Sequence, residues 1–484
     1  MQRAWSRKNL WEAMPPTVKS ALGGILGRVP PALWLGRRFR ERLAFVNEAQ
    51  WWSAERAREY QLRQVQRICR LAFENTTHYR KCFREIGFEP GDLKSLEDLA
   101  RLPTIDKNTI RQHLHDMCTA PPESRGTDMV TTGGSSGEPL NFYINSGRSA
   151  VEYAYLVAGW QRIGYQMDIP QAVFRGQVVP EKRSGMRHYY DPVLRRHYYS
   201  NFHMSEENIR RYLEHVASIG PCFLHVYPSS ASTLARFVQR NNFPRLPNVR
   251  GILAGSEMVY PEIRAETEEA FGARFLSWYG HSEKLVLATE CEDSTAYHVW
   301  PTYGYSELLD DRDEPVTERG RIGEIVGTGF INTVAPFIRY RTGDYAVYGG
   351  ERCDHCGREH TILDEIKGRW PQGGLYAKDG SIISMTAFNV HDDTFLDTIG
   401  YQFHQSVPGK ATLRVVPARP LDEADRRRIL NGATRRLQGQ VDISLEIRDA
   451  LDQTPAGKLL RVVTTSIQTA EEGVETGRSE LQHR

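Results

Sequence analysis

The chain predicts an α/β protein: a large N-terminal α/β domain with parallel sheets and a β-rich subdomain, followed by a small α+β domain. Between residues 140 and 280, short runs rich in β-branched and aromatic residues alternate with amphipathic stretches, and strands separated by helices pair in parallel. From about Ile322 the runs GEIVGTGF and PFIRYRTGDYAVY follow one another without helical spacers, and beyond Arg369 a mixed segment carries one clear helix, LDEADRRRILNGATRRL.

Composition sets the outer limits. With 484 residues, 40% hydrophobic and 25% charged, the chain can bury a sizeable core and divide into two or more domains. A net charge of +2 gives no global attraction to nucleic acid, so none is expected as a partner. The first fifty residues are the exception, with nine basic residues from Arg3 to Arg42 against Glu12, Glu41 and Glu48, and with Trp5, Trp11 and Trp34 interleaved. Such a segment suits an anionic membrane surface, a partner, or packing as a solvated arm on its own domain. Its apolar run is broken by Arg28, Pro30 and Pro31 and is too short to span a bilayer, so a cytoplasmic protein with at most peripheral membrane contact is expected. Seven scattered cysteines do not form a disulfide framework.

Element by element, residues 1–53 are a basic amphipathic lead, and 54–368 form the large domain. Its helical entry, from Ala54 to about His113, shows a stripe of Leu62, Val65, Ile68, Cys69 and Phe73 at helical spacing. LNFYIN is a strand and SAVEYAYLVAGWQRIG a helix; FLHVYP is a strand, and SSASTLARFVQRN a helix capped by Ser229 or Ser230. GILAGSE is a strand, PEIRAETEEAFG a helix with Pro261 in its first turn, and RFLSWYG a strand. Residues 369–470 are the small domain, and the polar tail 471–484 is expected to be disordered.

Thr131–Pro139, TTGGSSGEP, suits neither helix nor strand. Its glycines let the backbone N–H groups approach an anion, and Thr131, Thr132, Ser135 and Ser136 add small donors, so the stretch can wrap a phosphate, although a flexible turn has the same composition. It lacks the lysine of the GxxxxGK[ST] loop and does not match GxGxxG; a cation for the phosphates must come from elsewhere. Downstream, GSEM (255–258), YGHSE (279–283), YRTGD (340–344), KGR (367–369) and PAGKLLR (455–461) follow in order. The loops GSEM and YGHSE end predicted parallel strands, where ligands collect in such sheets. Cys353 and Cys356 form a tight CxxC followed by glycine, the turn of a zinc knuckle.

In this order and spacing the motifs resemble the adenylate-forming superfamily of acyl- and aryl-CoA ligases, and within it the branch of phenylacetate-CoA ligase and the CapK-like proteins of capsular polysaccharide biosynthesis. The resemblance covers nearly the whole chain. It implies ATP-dependent activation of a small carboxylic acid as an acyl-adenylate with release of pyrophosphate, then transfer to CoA or another acceptor. Lys458 would be the catalytic lysine carried in by the small domain, acting with Glu283 and Thr132. Glu283 would hold Mg²⁺, a hard ion suited to oxygen. ATP would be bound by Thr131, Thr132, Gly133, Gly134, Ser135, Ser136 and Gly137, by Ser256 and Glu257 beside adenine, by Tyr279, Gly280 and Ser282, by Asp344 at the ribose, and by Arg369. A carboxylate suits the ribose because it accepts from both hydroxyls, and Tyr279 offers a face to the base. The acid's pocket is expected from residues 150–230 and His281. The resemblance also implies a structural zinc held by Cys291, His298, Cys353 and Cys356, with His355 and His360 as substitutes for His298. One departure stands out: after the GR pair comes Trp370-Pro371-Gln372-Gly373-Gly374 rather than an acidic hinge residue, and Pro371 stiffens the chain where rotation would occur. It leaves open a non-catalytic nucleotide-binding or scaffold homologue.

Overall fold

The computed structural model describes residues 14, 23, 24, 26–122, 124–132, 140–177, 179, 181, 185–367, 374–384, 393–395, 397–417, 419–452 and 462–464. Gly133, Gly134, Ser135, Ser136, Gly137, Arg369, Lys458, the Trp370–Gly373 stretch and the polar tail lie outside them.

The helical entry is α1 (Arg37–Ala49), α2 (Ala54–Asn75), α3 (Thr77–Glu85) and α4 (Lys107–His113). Ser53, Thr76 and Asp106 cap the last three, each accepting from a backbone N–H one turn on, the interaction that satisfies orphan donors at a helix start. On α2, Val65, Ile68, Cys69 and Ala72 are buried, so the stripe faces the core as its spacing requires. Helix α1 is no detached arm: Phe39 and Val46 join the core of α5 (Arg148–Trp160). The described part of the basic lead is thus built into the large domain.

A hairpin of β1 (Thr127–Thr131) and β2 (Asn141–Asn145) precedes α5. The central sheet has twelve strands, in spatial order β11, β12, β13, β14, β10, β9, β8, β7, β6, β3, β5, β4. They are β3 (Gln171–Arg175), β4 (His188–Asp191), β5 (Arg196–Ser200), β6 (Cys222–Val226), β7 (Val249–Gly255), β8 (Phe275–Gly280), β9 (Leu287–Glu290), β10 (Tyr297–Val299), β11 (Gly304–Leu309), β12 (Ile322–Gly329), β13 (Tyr340–Gly350) and β14 (Ile362–Ile366). Strands β5, β3, β6, β7 and β8 are parallel, with α6 (Glu206–Ser218), α7 (Pro228–Arg240) and α8 (Pro261–Phe271) in their crossovers. From β8 through β9 and β10 to β14, β13, β12 and β11 every pairing is antiparallel. The fold class and the change of pattern are as expected; the edge hairpin of β4 and β5 was not anticipated.

Helix α7 corrects the expected cap. It begins at Pro228 with no side-chain cap from its own N-cap residue. Instead Glu257 reaches across from the end of β7 and accepts from the backbone N–H and the hydroxyl of Ser229, at 2.8 and 3.0 Å. A carboxylate at a helix N-terminus satisfies both its donors and its dipole.

The small domain holds β15 (Gly374–Tyr376) paired with β16 (Ile382–Ser384), and a sheet ordered β19, β18, β17, β20: β17 (Thr398–Val407), β18 (Lys410–Pro417), β19 (Asp442–Ile447) and β20 (Val462–Thr464), covered by α9 (Glu423–Leu437). Its core of Tyr401, Phe403, Leu413, Val415, Ile429 and Leu437 also takes in Phe202 and Tyr227 of the large domain.

Gly304 opens β11 where no side chain fits. A Cβ there would sit 1.9 Å from the Leu285 carbonyl oxygen and 2.9 Å from that of Thr328, both backbone atoms. Gly304→Ala is expected to destabilise the protein by about 1–3 kcal/mol or more, read as a lower urea midpoint; an unchanged midpoint would refute the assigned contact.

Candidate active site at the carboxyl ends of the parallel strands

Strands β3, β6, β7 and β8 all end on one edge of the sheet because they run the same way. Their last residues and the turns that follow bring Arg175, Tyr227, Ser256 and Tyr279–Glu283 to one mouth. Such a crevice is where a doubly wound sheet binds its ligands.

The turn after β8 carries YGHSE. Glu283 is 5% exposed, a carboxylate held inside the protein and compensated by donors. Tyr340, the first residue of β13, donates its hydroxyl to Glu283 Oε1 at 3.1 Å. His281 Nε2 accepts from the Val286 N–H at 3.3 Å, which places the imidazole proton on Nδ1, facing Glu283 Oε2 at 3.3 Å. Lys284 has φ +61° and is held by Glu152 of α5 at 2.6 Å.

YRTGD is shaped by a carboxylate outside the motif. Glu324 of β12 accepts from Arg341 Nε and Nη2 at 2.8 and 2.6 Å and from the Gly343 N–H at 3.0 Å. Gly343 has φ +72°, a left-handed turn that a side chain would strain. Thr342 accepts from the Asp344 N–H at 3.1 Å. Thus presented, Asp344 accepts from the Tyr279 hydroxyl at 2.9 Å. Asp344 is thereby brought to Tyr279 of YGHSE, 65 residues earlier in sequence.

On the other side of the mouth stands Arg175, which the sequence reading missed. Its guanidinium donates to Ser256 Oγ at 2.6 Å and to His225 Nε2 at 2.9 Å, and lies over the rings of Tyr227 (4.6 Å) and Trp278 (5.3 Å). His225 is neutral: burial pushes its pKa well below the usual range, and Arg175 and Arg196 push the same way. Its Nδ1–H then donates to Gln171 Oε1 at 3.2 Å. Ser256 sits at φ +71°, a conformation worth about 1–3 kcal/mol of strain in a residue with a side chain. An arginine ending the short apolar run QAVFR was the signal available in the sequence. Glu257, expected beside adenine, is the residue that caps α7.

Thr131 and Thr132 pin the base of the glycine-rich loop. Thr131 donates to Asn141 Oδ1 at 2.6 Å, and Thr132 Oγ1 accepts from the Leu140 N–H at 2.9 Å. A hydroxyl that accepts keeps its own proton to give, so Thr132 can serve an anion in the loop while Thr131 holds the stem. Gly280 and Ser282 lie in or beside the turn after β8.

Cys291, His298, Cys353 and Cys356 converge, one donor atom from each lying within 4.8 Å of all the others. Cys291 Sγ is 3.8 Å from Cys353 Sγ, and Cys356 Sγ is 3.9 Å from His298 Nε2. Around an ion with metal–sulfur bonds of about 2.3 Å, tetrahedral ligands stand about 3.8 Å apart, so the four fit zinc. Strand β9 runs antiparallel to β8, which sets Cys291 at the end of the sheet away from the mouth. His360 is engaged with the Gln50 carbonyl at 3.0 Å, and His355 is exposed; neither belongs to the group.

No family model matches the chain. It is similar to the phenylacetate-coenzyme A ligase of Thermus thermophilus, 26% identical over 339 residues, 65% of this chain and 71% of the relative. The corresponding ligase of Pseudomonas putida is 27% identical over 303 residues, 60% of this chain and 66% of the relative. Protein CapK of Staphylococcus aureus is 24% identical over 273 residues, 56% and 58% of the two chains. The chain thus spans 58% to 71% of the length of these relatives. Among solved structures, 2-hydroxyisobutyryl-CoA ligase in an open conformation with 2-HIB-AMP and CoA superposes with a TM-score of 0.55 at 19% identity, over 85% of this chain and 92% of that one. This likeness shows the fold of an adenylate-forming CoA ligase.

Glu324→Ala removes the acceptor that gathers Arg341 and Gly343, and is expected to lower stability by about 1–3 kcal/mol, with Glu324→Gln less affected. Equal denaturant midpoints for wild type and Glu324→Ala would show that the turn stands without it.

Proposed function

We propose that this chain, similar in sequence to phenylacetate-CoA ligases and built on the fold of an adenylate-forming ligase, activates a small carboxylic acid with ATP and passes the acyl group to CoA. The observation that carries the reading is the convergence of two separate motifs at the carboxyl ends of the parallel strands, where Tyr279 and Glu283 of YGHSE meet Asp344 and Tyr340 of YRTGD. A carboxylate oxygen attacks the α-phosphorus, the bond to pyrophosphate breaks, and the acyl-adenylate remains. The CoA sulfur then attacks the acyl carbonyl, and AMP leaves with the C–O electron pair.

Each residue has a task in that scheme. Asp344, oriented by Thr342 and Tyr279, accepts from the ribose hydroxyls. Thr132 donates to a phosphate oxygen in the glycine-rich loop. Glu283, an oxygen donor with its charge held in the protein interior, fits Mg²⁺; that ion would neutralise phosphate charge. Lys458 supplies the cation that the loop lacks, bridging the attacking carboxylate and the α-phosphate, and Arg369 approaches the ribose. Arg175, held between Ser256 and the aromatic rings, would offer a cation to the acid. The Cys291, His298, Cys353 and Cys356 group would hold a structural zinc that ties the β9–β10 hairpin to the turn between β13 and β14.

The direct test is carboxylate-dependent exchange of pyrophosphate into ATP over a panel of aryl, alkyl and hydroxy acids. Lys458→Ala and Asp344→Asn are each expected to slow exchange about 100-fold or more with the thermal midpoint unchanged; full exchange in Lys458→Ala removes its role. Thioester formation after adding CoA checks the acceptor. Cys353→Ser is expected to lose one equivalent of zinc and to melt earlier, measured by metal content and calorimetry; equal zinc in both proteins would rule out the site.

A further inference from the structure

Strands β4 and β5 form the outer hairpin of the large sheet, paired so that His188 opposes Tyr199 and Tyr190 opposes His197. Directly opposed residues share a face, so His188 and His197 are diagonal neighbours on one side. Helix α6 covers that side and presents His215 from its last turn, with Leu213 and Val216 of the same helix fully buried. The three imidazoles form a tight group: the His188 and His215 rings are 4.3 Å apart between centroids, and those of His188 and His197 5.2 Å. One nitrogen from each lies within 4.8 Å of the other two.

We propose that His188, His197 and His215 form a second metal site, one that takes a divalent transition ion of the zinc type and pins the edge hairpin to helix α6. His188 Nε2 and His197 Nδ1 point at each other across 3.0 Å. A shared proton would join that pair alone, whereas the mutual approach of one nitrogen from each of the three rings also suits a common ion. Around an ion with metal–nitrogen bonds of about 2.0–2.1 Å, tetrahedral ligands stand about 3.4 Å apart, so a shift of a few tenths of an ångström turns the contact into two ligand bonds. His215 Nδ1 lies 2.7 Å from the Tyr199 hydroxyl, the kind of outer partner that fixes the tautomer of a ligating histidine and turns its other nitrogen to the metal. The donors are three imidazoles with no carboxylate among them, a set that selects zinc, copper or nickel over magnesium or calcium. His188 is buried while His197 and His215 are half-buried, which gives an ion a path from solvent and leaves its fourth position to water.

The test is titration of the chelator-stripped, untagged full-length chain with Co²⁺, read by absorption and by metal retained after desalting. A cobalt equivalent without sulfur-to-metal charge transfer is expected, and it persists in Cys353→Ser, which separates it from the cysteine-containing site. His197→Asn and His215→Gln should each abolish that equivalent with the circular dichroism spectrum unchanged, and Tyr199→Phe should weaken it about 10- to 100-fold. The same sulfur-free cobalt in wild type and both histidine variants, or none in wild type, overturns the proposal.

Discussion

Glu283 is a carboxylate enclosed by protein, and such a group is tolerated only where donors surround it. Those donors come from different parts of the fold: His281 from the same turn, and Tyr340 from the start of a strand that lies four strands away in the sheet. Tyr340 is itself fully buried, and the residue before it, Arg339, has φ +50°. Arg339 holds that conformation by pairing with Glu307 and donating to the carbonyls of Ala100 and Leu102. The helical entry, the antiparallel half of the sheet and the turn after β8 are therefore mutually fixed, and the compensation of one buried charge sets the distance between two sequence motifs.

Much of this was legible because alternation and helical spacing report burial directly. The stripe on α2 and the strand ends at GSEM and YGHSE lie where their patterns placed them, and the two Cys-bearing hairpins meet as the resemblance implied. Less legible was anything that depends on a partner from another element. Ser229 looked like a cap by local rules, yet the acceptor at that helix start is Glu257, 28 residues on. Arg175 ends an ordinary buried strand and gains its meaning only from Ser256, His225 and two rings brought in by neighbouring strands. Glu324 shapes the YRTGD turn from outside the motif. His188, His197 and His215 carry no recognisable spacing, since a hairpin and a helix create their proximity.

The two ends of the sheet are built differently. At the mouth, polar groups are joined by hydrogen bonds that a ligand could exchange for its own, as between Tyr279 and Asp344. At the far end, the hairpins are closed by soft donors and by Arg358, which pairs with Glu292 at 2.6 Å and lies 3.9 Å from the Trp51 ring. Exchangeable hydrogen bonds at one end of the sheet thus stand opposite buried soft donors and an ion pair at the other.

Tyr227 belongs to two neighbourhoods at once. One side of its ring carries the Arg175 guanidinium, and with Phe202 it completes the hydrophobic core of the small domain. Moving that domain aside would wet both aromatic rings and alter the surface on which Arg175 rests. By linkage, any molecule whose affinity for Arg175 depended on that packing would in turn shift the packing by the same factor. Through this one shared ring, the setting of Arg175 at the mouth and the packing of the small domain are coupled.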